Sequence, residues 1–448
     1  TAVGTAQVAV AAVDGGNFTG DATADFQITA RSLKDAAVTA ADVKAGDTPA
    51  ITVSYNGELL VADTDYTIDF SAVDLSTPGT KTVVISAVDG SNYVDSTTVS
   101  FKVLDPASVK GDISDTGIYT VDGLVAKTYT GSALTQSLAV KDISGDVTLL
   151  LAEGTDYTVT YANNVNAGQA TVVVAGTNGY VGSQTLTFAI NPAPLAAAAA
   201  SIANMKADGT DLPVVPVVAF NGTALVAGTD FTCAPATVKD AGSYKATLTA
   251  VDGGNFTGTL DVAFKVLDAD APTFDLGDPS QIGVAPIAPQ TYTGSAIQPA
   301  VQVYRMPSNT AANRLSAADY KVTYANNVNA GTAKAIVTAV GEGYTGSVEV
   351  PFTINALALT GATVSIPEQT YTGSAIVPAT ATVTLRGAVL DPADYRLEAP
   401  ATNANNVNVG TSARVNVVGT GNYSGTVAGT FRIVAAPISA ANPVVGNM

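Results

Sequence analysis

The stretch YTVTYANNVNAGQATVVV at 157–174 contains the elements that decide the fold. Its first five residues place Tyr157, Val159 and Tyr161 on one face, which predicts a strand with one buried side. The asparagines and glycine of ANNVNAG predict a turn, because both residue types tolerate left-handed backbone conformations. The valine-rich run that follows predicts a second strand. The stretch therefore predicts two strands joined by a tight connection.

The same connection recurs along the chain together with two other motifs. These are YANNVNAG at 161–168 and 324–331, TYTGSA at 128–133 and 291–296, and FKVLD at 101–105 and 264–268. In every case the second copy lies 163 residues after the first. A further TYTGSA follows at 370–375, with ANNVNVG at 404–410. Because long separations are kept constant, we infer that whole folded units were duplicated.

The repeats divide the chain into modules. We predict a partial module at 1–30, then module 1 at 31–104, module 2 at 105–191, module 3 at 192–267, module 4 at 268–354, module 5 at 355–434, and a linker at 435–448. The partial module holds only the last strands of such a unit. It is therefore expected to be a fragment, or to be completed by another chain.

Each module reads as an all-β unit of about six or seven short strands. Asn-Gly between apolar runs, as in ITVSYNGELL at 51–60, predicts hairpins. We expect a tandem array of small antiparallel β-sandwiches with an immunoglobulin-like arrangement, and keep β-grasp-like modules as the alternative. An aspartate precedes one strand in each module, and we expect it to bond the backbone of its own turn. These aspartates are Asp65, Asp156, Asp230, Asp319 and Asp394.

The composition excludes much of the chemistry that enzymes use. The chain has no histidine and one cysteine, so no serine–histidine–aspartate triad and no histidine-bearing zinc site exists. Cys233 takes the place of an aliphatic residue in the other modules and is predicted to be a buried core side chain. We predict no enzymatic activity, no catalytic or cofactor-binding residues and no cofactor.

Calcium at a module junction is the remaining metal hypothesis. One junction places Asp268, Asp270, Asp275 and Asp278 close together in sequence. Calcium is bound by six to eight oxygen atoms, which such carboxylates can supply. The matching junction keeps only Asp105, Asp112 and Asp115, and a repeated site should repeat its ligands. We therefore assign no metal ligand and treat these residues as linker charges.

The net charge of -18 argues against a nucleic-acid partner and against an anionic membrane surface, because both need a clustered basic face. The chain contains no run of 18 apolar residues, so no membrane-spanning helix is predicted. Candidate partners are a host glycan, a host protein or another copy of the chain.

The pattern GTDYTV, NNVNAGxATV, GYxG and FxI resembles the tandem Ig-like modules of bacterial cell-surface proteins, of the MBG/YDG type found in adhesins and wall-anchored proteins. The resemblance is strong in 113–191, 279–354 and 355–434. It implies an extracellular location, on the bacterial surface or cell wall, and a role as a semi-rigid stalk or spacer in adhesion. The alternatives are a self-assembling filament or S-layer subunit, and an adhesin that itself binds a host ligand. For the spacer, stacking end to end predicts a length on the order of 150–200 Å.

Overall fold

The computed structural model describes residues 2–11, 20–145, 147–400 and 405–436. These residues contain β-strands and no α-helix. Single 3-10 turns are present at Leu33–Asp35, Pro106–Ser108, Leu195–Ala197, Ala311–Asn313 and Pro392–Asp394. The all-β prediction is therefore confirmed.

The partial module contributes one antiparallel pair, β1 (Gly4–Ala11) and β2 (Asp21–Ile28). Module 1 contains β3 (Arg31–Ser32), β4 (Ala37–Ala40), β5 (Val43–Lys44), β6 (Ile51–Tyr55), β7 (Glu58–Leu59), β8 (Tyr66–Asp69), β9 (Gly79–Ala87), β10 (Tyr93–Val94) and β11 (Ser96–Leu104). Module 2 contains β12 (Gly111–Asp112), β13 (Tyr119–Asp122), β14 (Lys127–Thr128), β15 (Ala139–Asp142), β16 (Leu149–Leu150), β17 (Tyr157–Ala162), β18 (Gly168–Gly176), β19 (Tyr180–Val181) and β20 (Ser183–Asn191).

The later modules repeat this order with small changes. Module 3 contains β21 (Ala193–Pro194), β22 (Ala199–Ile202), β23 (Met205–Lys206), β24 (Leu212–Pro213), β25 (Pro216–Phe220), β26 (Thr223–Ala224), β27 (Phe231–Ala234), β28 (Thr237–Val238), β29 (Gly242–Ala250), β30 (Phe256–Thr257) and β31 (Thr259–Leu267). Module 4 contains β32 (Phe274–Asp275), β33 (Ile282–Val284), β34 (Gln290–Thr291), β35 (Val303–Arg305), β36 (Tyr320–Ala325), β37 (Gly331–Ala339), β38 (Tyr344–Thr345) and β39 (Ser347–Asn355). Module 5 contains β40 (Leu357–Ala358), β41 (Thr363–Ser365), β42 (Gln369–Thr370), β43 (Thr382–Leu385), β44 (Ala388–Val389), β45 (Tyr395–Glu398), β46 (Gly410–Gly419), β47 (Tyr423–Ser424) and β48 (Thr426–Val434).

Two main sheets form the core of each module, as module 2 illustrates. A three-stranded antiparallel sheet has the order β13-β15-β16, and a four-stranded sheet has the order β14-β20-β18-β17. Side chains of both sheets meet in one buried cluster, in which Tyr119 and Val140 pack against Tyr157 and Val174. This arrangement confirms the sandwich prediction. Modules 1, 3 and 5 have the same two sheets, and module 4 has the pair β33-β35 in place of the three-stranded sheet.

Two details differ from the sequence prediction. The strands are more numerous than the six or seven expected, because several pieces of two residues complete the sheet edges. The short first strand of the four-stranded sheet also runs parallel to its neighbour, as β14 does beside β20. Period-two patterns could not reveal these pieces, since two residues are too few to show an alternation.

The chain divides into two compact units, 1–193 with 252–257, and 194–251 with 258–448. Modules 1 and 2 belong to the first unit, and modules 4 and 5 belong to the second. Module 3 belongs to the second unit except for residues 192–193 and its hairpin tip at 252–257. The module boundaries themselves remain predictions from the repeat spacing.

Candidate functional site: the module junctions

The aspartate before each edge strand closes a turn in its own module, as predicted. Its carboxylate accepts a backbone N–H bond from Val61 to Asp65 (2.8 Å), from Ala152 to Asp156 (2.9 Å), from Val226 to Asp230 (2.8 Å) and from Ser316 to Asp319 (3.1 Å). Burial raises the pKa of Asp394, the fifth member, and the nearby Asp391 carboxylate adds to the rise. We conclude that this repeated acidic position has a structural role.

Two of the four aspartates at the candidate calcium junction bond their own local turns. Asp275 accepts from the N–H of Gly277 at 2.8 Å, and Asp278 accepts from the N–H of Ser280 at 2.9 Å. Within the described ranges, no three side chains of the acidic, histidine or cysteine type come together. The structure therefore gives the calcium hypothesis no geometric support.

Cys233 corrects one prediction, because its side chain is half-buried rather than buried. It lies in β27, which is the edge strand of the order β23-β31-β29-β27 and is paired on one side only. The thiol lies 3.8 Å from the carbonyl oxygen of Pro235. Partial burial raises the pKa of the Cys233 thiol, so the thiolate is disfavoured at neutral pH.

The middle asparagine of ANNVNAG stabilises its own module. It is buried at all three positions, and its backbone and side chain both bond the residue that directly follows TYTGSA. Its side-chain amide donates from Asn164 to the carbonyl of Leu134 (2.9 Å), from Asn327 to Ile297 (2.7 Å) and from Asn406 to Ile376 (2.9 Å). The backbone N–H of each of these partners donates to the backbone carbonyl of the same asparagine, at 2.8, 2.8 and 2.9 Å respectively. This position explains why two motifs 30 residues apart recur together.

The first asparagine of the motif bonds the preceding module. In the first unit, the N–H of Asn163 donates to the carbonyl of Gly57 at 2.5 Å. In the second unit, the N–H of Asn326 donates to Gly222 at 2.6 Å. Both glycines belong to the Asn-Gly hairpins of modules 1 and 3. The hairpin turn predicted from sequence is therefore also a docking element.

A second set of bonds completes this contact, which we call the pair junction. The N–H of Asp42 in module 1 donates to Gly176 at 3.3 Å, and its carbonyl accepts from Gly182 at 3.0 Å. Asn204 of module 3 makes the corresponding bonds to Ala339 at 3.0 Å and Gly346 at 3.1 Å. The backbone of one residue of the earlier module thus lies beside the aromatic turn of the later module. Ion pairs flank both junctions, Lys44 with Asp112 at 3.1 Å and Lys265 with Glu342 at 2.6 Å.

The inserted residue is an aspartate in one copy and an asparagine in the other. Asp42 is 8% exposed, and burial raises the pKa of its carboxyl group, although backbone N–H groups of Lys102 and Asn178 act in the opposite direction. Asn204 is 1% exposed, and its side-chain N–H donates to the carbonyl of Gly341 at 3.0 Å. The Asp42 carboxylate therefore meets backbone N–H donors, and the Asn204 amide meets a backbone carbonyl that accepts its hydrogen bond.

The pair junction also covers a sheet face that would otherwise meet solvent. The strands β18 and β37 are buried on both faces over their second halves, whereas the equivalent β9, β29 and β46 alternate. In the second unit, Ser201 donates to the hydroxyl of Thr338 at 3.1 Å, and Lys321 donates to the carbonyl of Ala200 at 2.5 Å. The three-stranded sheet of module 3 therefore packs on the four-stranded sheet of module 4.

The third asparagine of the motif bonds the following module. Asn255, at the hairpin tip that belongs to the first unit, accepts from the N–H of Ala167 at 2.7 Å and donates to the side chain of Asn166 at 3.1 Å. In the second unit, Asn422 accepts from Ala330 at 2.8 Å and donates to Asn329 at 3.0 Å. We call this contact the asparagine junction.

Aromatic rings complete the asparagine junction. Tyr129 of TYTGSA packs edge-to-face against Phe256, with ring centroids 5.4 Å apart. Tyr292 packs against Tyr423 in the same way at 5.5 Å. Burial raises the pKa of both tyrosines of this second pair. Such ring pairs contribute about 0.5–1.5 kcal/mol beyond the apolar area they bury.

The partial module shows the same bond once more, because the N–H of Val3 donates to the side chain of Asn92 at 3.0 Å. In the described residues the backbone-to-asparagine bond of the asparagine junction therefore occurs three times, and the pair junction occurs twice. The two types alternate along the chain. Only the turn function of ANNVNAG was predicted, and its contacts with two neighbouring modules were missed.

Two sequence signals of the junctions were visible. The residue before the turn aromatic is asparagine at 92, 255 and 422 but glycine at 179 and 343. The continuous apolar run Val172–Ala175 breaks the alternation seen in β9, which indicates burial on both faces.

No protein-family model matches the chain, and no curated protein matches it. Among solved structures, the chain is similar to domains 4–9 of the surface layer protein SbsC, with 15% identity, 85% of this chain and 76% of that chain covered, and a TM-score of 0.14. The extracellular domain of protocadherin GammaB4 has 10% identity, coverage of 90% and 77%, and a TM-score of 0.16. A SusE-like surface-located polysaccharide-binding protein from the heparin utilisation locus of Bacteroides thetaiotaomicron has 12% identity, coverage of 81% and 79%, and a TM-score of 0.13. TM-scores this low establish neither a common fold nor a common function. No helix in the described ranges is long and apolar enough to cross a bilayer.

Proposed function

We propose that this chain is the extracellular repeat region of a bacterial surface protein and acts as a semi-rigid spacer. The observation that supports the proposal is that equivalent hydrogen bonds of both junction types recur between different modules. The repeated residues make contacts between neighbouring modules and within modules. In this reading, specific binding of a host glycan or protein belongs to other parts of the parent protein.

The chemistry of the junctions favours a fixed angle between neighbours. Four of the bonds in the two pair junctions join one backbone to another, through residues 42 and 204. Backbone groups have no rotamers to exchange, so such bonds restrict the neighbour more than a pair of long side chains does. Modules that contact only their neighbours lengthen an array without any change to their cores.

The motif resemblance supports the location. The repeated GTDYTV and NNVNAG segments resemble those of bacterial surface modules, and charged residues make up 13% of the chain. A spacer needs no reactive group, which agrees with a chain that lacks histidine.

Small-angle X-ray scattering of the dilute chain tests the proposal. We expect a maximum dimension on the order of 150–200 Å, from compact-domain scaling of the modules. Asn255→Ala should broaden the distribution of dimensions, because it removes both side-chain bonds of one asparagine junction. Val215→Ala changes an exposed side chain of the same module and is the control. A compact particle, or no effect of Asn255→Ala, would overturn the spacer function.

A further inference from the structure

The two pair junctions differ in the side-chain atom that the earlier module presents to the later one. Asp42 and Asn204 hold equivalent positions, and Oδ1 of each accepts from the backbone N–H of the lysine in FKVLD, Lys102 at 2.7 Å and Lys265 at 3.0 Å. This bond within the earlier module fixes the orientation of the side chain. The remaining terminal atom, which faces the later module, is an acceptor oxygen in Asp42 and a donor nitrogen in Asn204.

The aromatic turn of module 2 supplies a donor to its junction. Three residues, 177–179, separate the end of β18 from Tyr180. Asn178 has φ of +53°, and its backbone N–H hydrogen-bonds the Asp42 carboxylate. A donor of the later module therefore meets the acceptor of the earlier one.

The aromatic turn of module 4 is one residue longer, at 340–343, and supplies an acceptor instead. The N–H of Gly341 donates to the carbonyl of Asp319 within module 4 at 3.0 Å, and the carbonyl of Gly341 accepts from the Asn204 amide at 3.0 Å. A Cβ atom at residue 341 would lie 2.6 Å from Oδ1 and 2.7 Å from Cα of Asp319, so this turn requires glycine. The residue in the turn thus decides which backbone group faces the earlier module.

The acidic group also lies on opposite sides of the two junctions. In the first it is Asp42 of the earlier module; burial raises the pKa of this carboxyl group, and the N–H and positive charge of Lys102 oppose the rise. In the second it is Glu342 of the longer turn, which pairs across the junction with Lys265 at 2.6 Å. The FKVLD lysine therefore has an acid near it in both junctions, although the acid comes from the earlier module in one and from the later module in the other.

We propose that these residues form a recognition code, so that each pair-junction surface accepts only its own kind of turn. A surface with aspartate, set against a turn of the 340–343 kind, would place two acceptors face to face and add a second carboxylate to a junction that already holds Glu342. A surface with asparagine, set against a turn of the 177–179 kind, would place two donors face to face and remove the acid that pairs with Lys265. Discrimination then comes from repulsion in the wrong pair as well as from attraction in the right one.

Such a code has a use in a chain of closely similar modules. FKVLD and YANNVNAG, which contribute to both pair junctions, are identical in the two copies, and the backbone bonds at residues 42 and 204 are equivalent. These shared features cannot distinguish a correct neighbour from a wrong one, and misassembly of modules is a characteristic failure of repeat proteins. The code goes beyond the spacer function and does not depend on it.

Exchange of the two halves of the code in the second junction is the test. One variant is Asn204→Asp, another replaces residues 340–343 by the Thr-Asn-Gly of 177–179, and a third combines both changes in the full chain. Hydrogen exchange at the Asn326 N–H at pH 7 measures opening of this junction, and the Asn163 N–H of the first junction is a reference within the same molecule. Glu349→Gln is the control, because it removes an ion pair to Lys334 that lies within module 4 and does not cross the junction.

Each half of the exchange should open the junction, and the two together should close it again. We expect exchange at Asn326 to be roughly 30–700 times faster in Asn204→Asp and roughly 5–150 times faster in the turn replacement, because each leaves buried groups of the same kind facing one another. The combined variant should return to within about tenfold of the wild type, since an acceptor again meets a donor. Exchange at Asn163, and exchange at Asn326 in Glu349→Gln, should stay at the wild-type rate.

The combined variant gives the decisive result. If its exchange at Asn326 is as fast as the product of the two separate effects, or if the turn replacement alone leaves Asn326 as slow as in the wild type, the code is refuted. Scattering of the dilute chain tests the spacer function separately, so failure of the code leaves that function standing.

Discussion

Gly222 is the position at which a single added methyl group should open a pair junction. Its backbone has φ of +83°, and a Cβ atom there would lie 2.4 Å from Oδ1 of Asn327 and 2.8 Å from a methyl group of Val328. Asn327 is fully buried and holds the carbonyl of Ile297 at 2.7 Å. The Gly222→Ala variant must therefore displace a fully buried amide.

The expected loss has two contributions. Alanine in a left-handed conformation costs roughly 1–2 kcal/mol wherever it is placed. Displacement of Asn327 leaves a buried carbonyl without its donor, which adds about 1–3 kcal/mol. Gly228 lies in the same module with φ of +82° and no atom within 4 Å of an added Cβ, so Gly228→Ala carries the first cost alone.

Hydrogen exchange at the Asn326 N–H measures the difference, because this group donates to the carbonyl of Gly222 across the junction. A difference of about 1–3 kcal/mol corresponds to exchange roughly 5–150 times faster in Gly222→Ala than in Gly228→Ala. Gly57→Ala provides a second control, since an added Cβ there would lie 3.7 Å from the nearest atom of module 2. Equal exchange at Asn326 in the Gly222 and Gly228 variants would refute the argument that the clash opens the junction.

Three further predictions concern other residues. Asn204→Asp should destabilise the pair junction by about 2–4 kcal/mol at pH 7, because a buried carboxylate would face the carbonyl of Gly341. Calorimetry should show this loss of stability shrinking as the pH falls toward 4. Burial, together with the Asp142 carboxylate, raises the pKa of Tyr119 to about 12. Between pH 10 and 12 only the unfolded chain ionises this phenol, so the stability of module 2 should fall over that range. Urea unfolding at each pH measures the fall, and an unchanged midpoint would contradict the prediction. Cys233 should react with a thiol reagent more slowly in the native chain than in urea, and equal rates would show that the half-buried edge strand gives it no protection.

Local patterns predicted most of each module. The alternation in 157–161 gave a strand over Tyr157–Ala162, and the aspartates before the edge strands bond their own turns as expected. These features depend on neighbours within a few residues, which sequence periodicity records directly. Cys233 was placed in the correct strand, but its burial depends on which strand lies at the sheet edge, and a period-two pattern does not contain that information.

The junctions were harder to predict because their partners are far apart in sequence. Asn166 and Asn255 are separated by 89 residues, and the repeat shows only that both segments were copied. Their contact follows from how one folded module sits on the next. The clue that could have been used is the correlation between NNVN in one module and an asparagine before the aromatic in the following one.

Module 5 combines features that modules 1 to 4 keep apart. It has the donor Asn422 at one end and the acceptor motif with Asn408 at the other, whereas module 2 has the acceptor motif but Gly179 in place of the donor. Modules 1 to 4 can consequently be gained or lost by recombination only two at a time, since removal of one would set a pair-junction surface against an asparagine-junction surface. A module of the fifth kind can be copied singly, with every new contact matched, so arrays built from it can vary in length by one module per event.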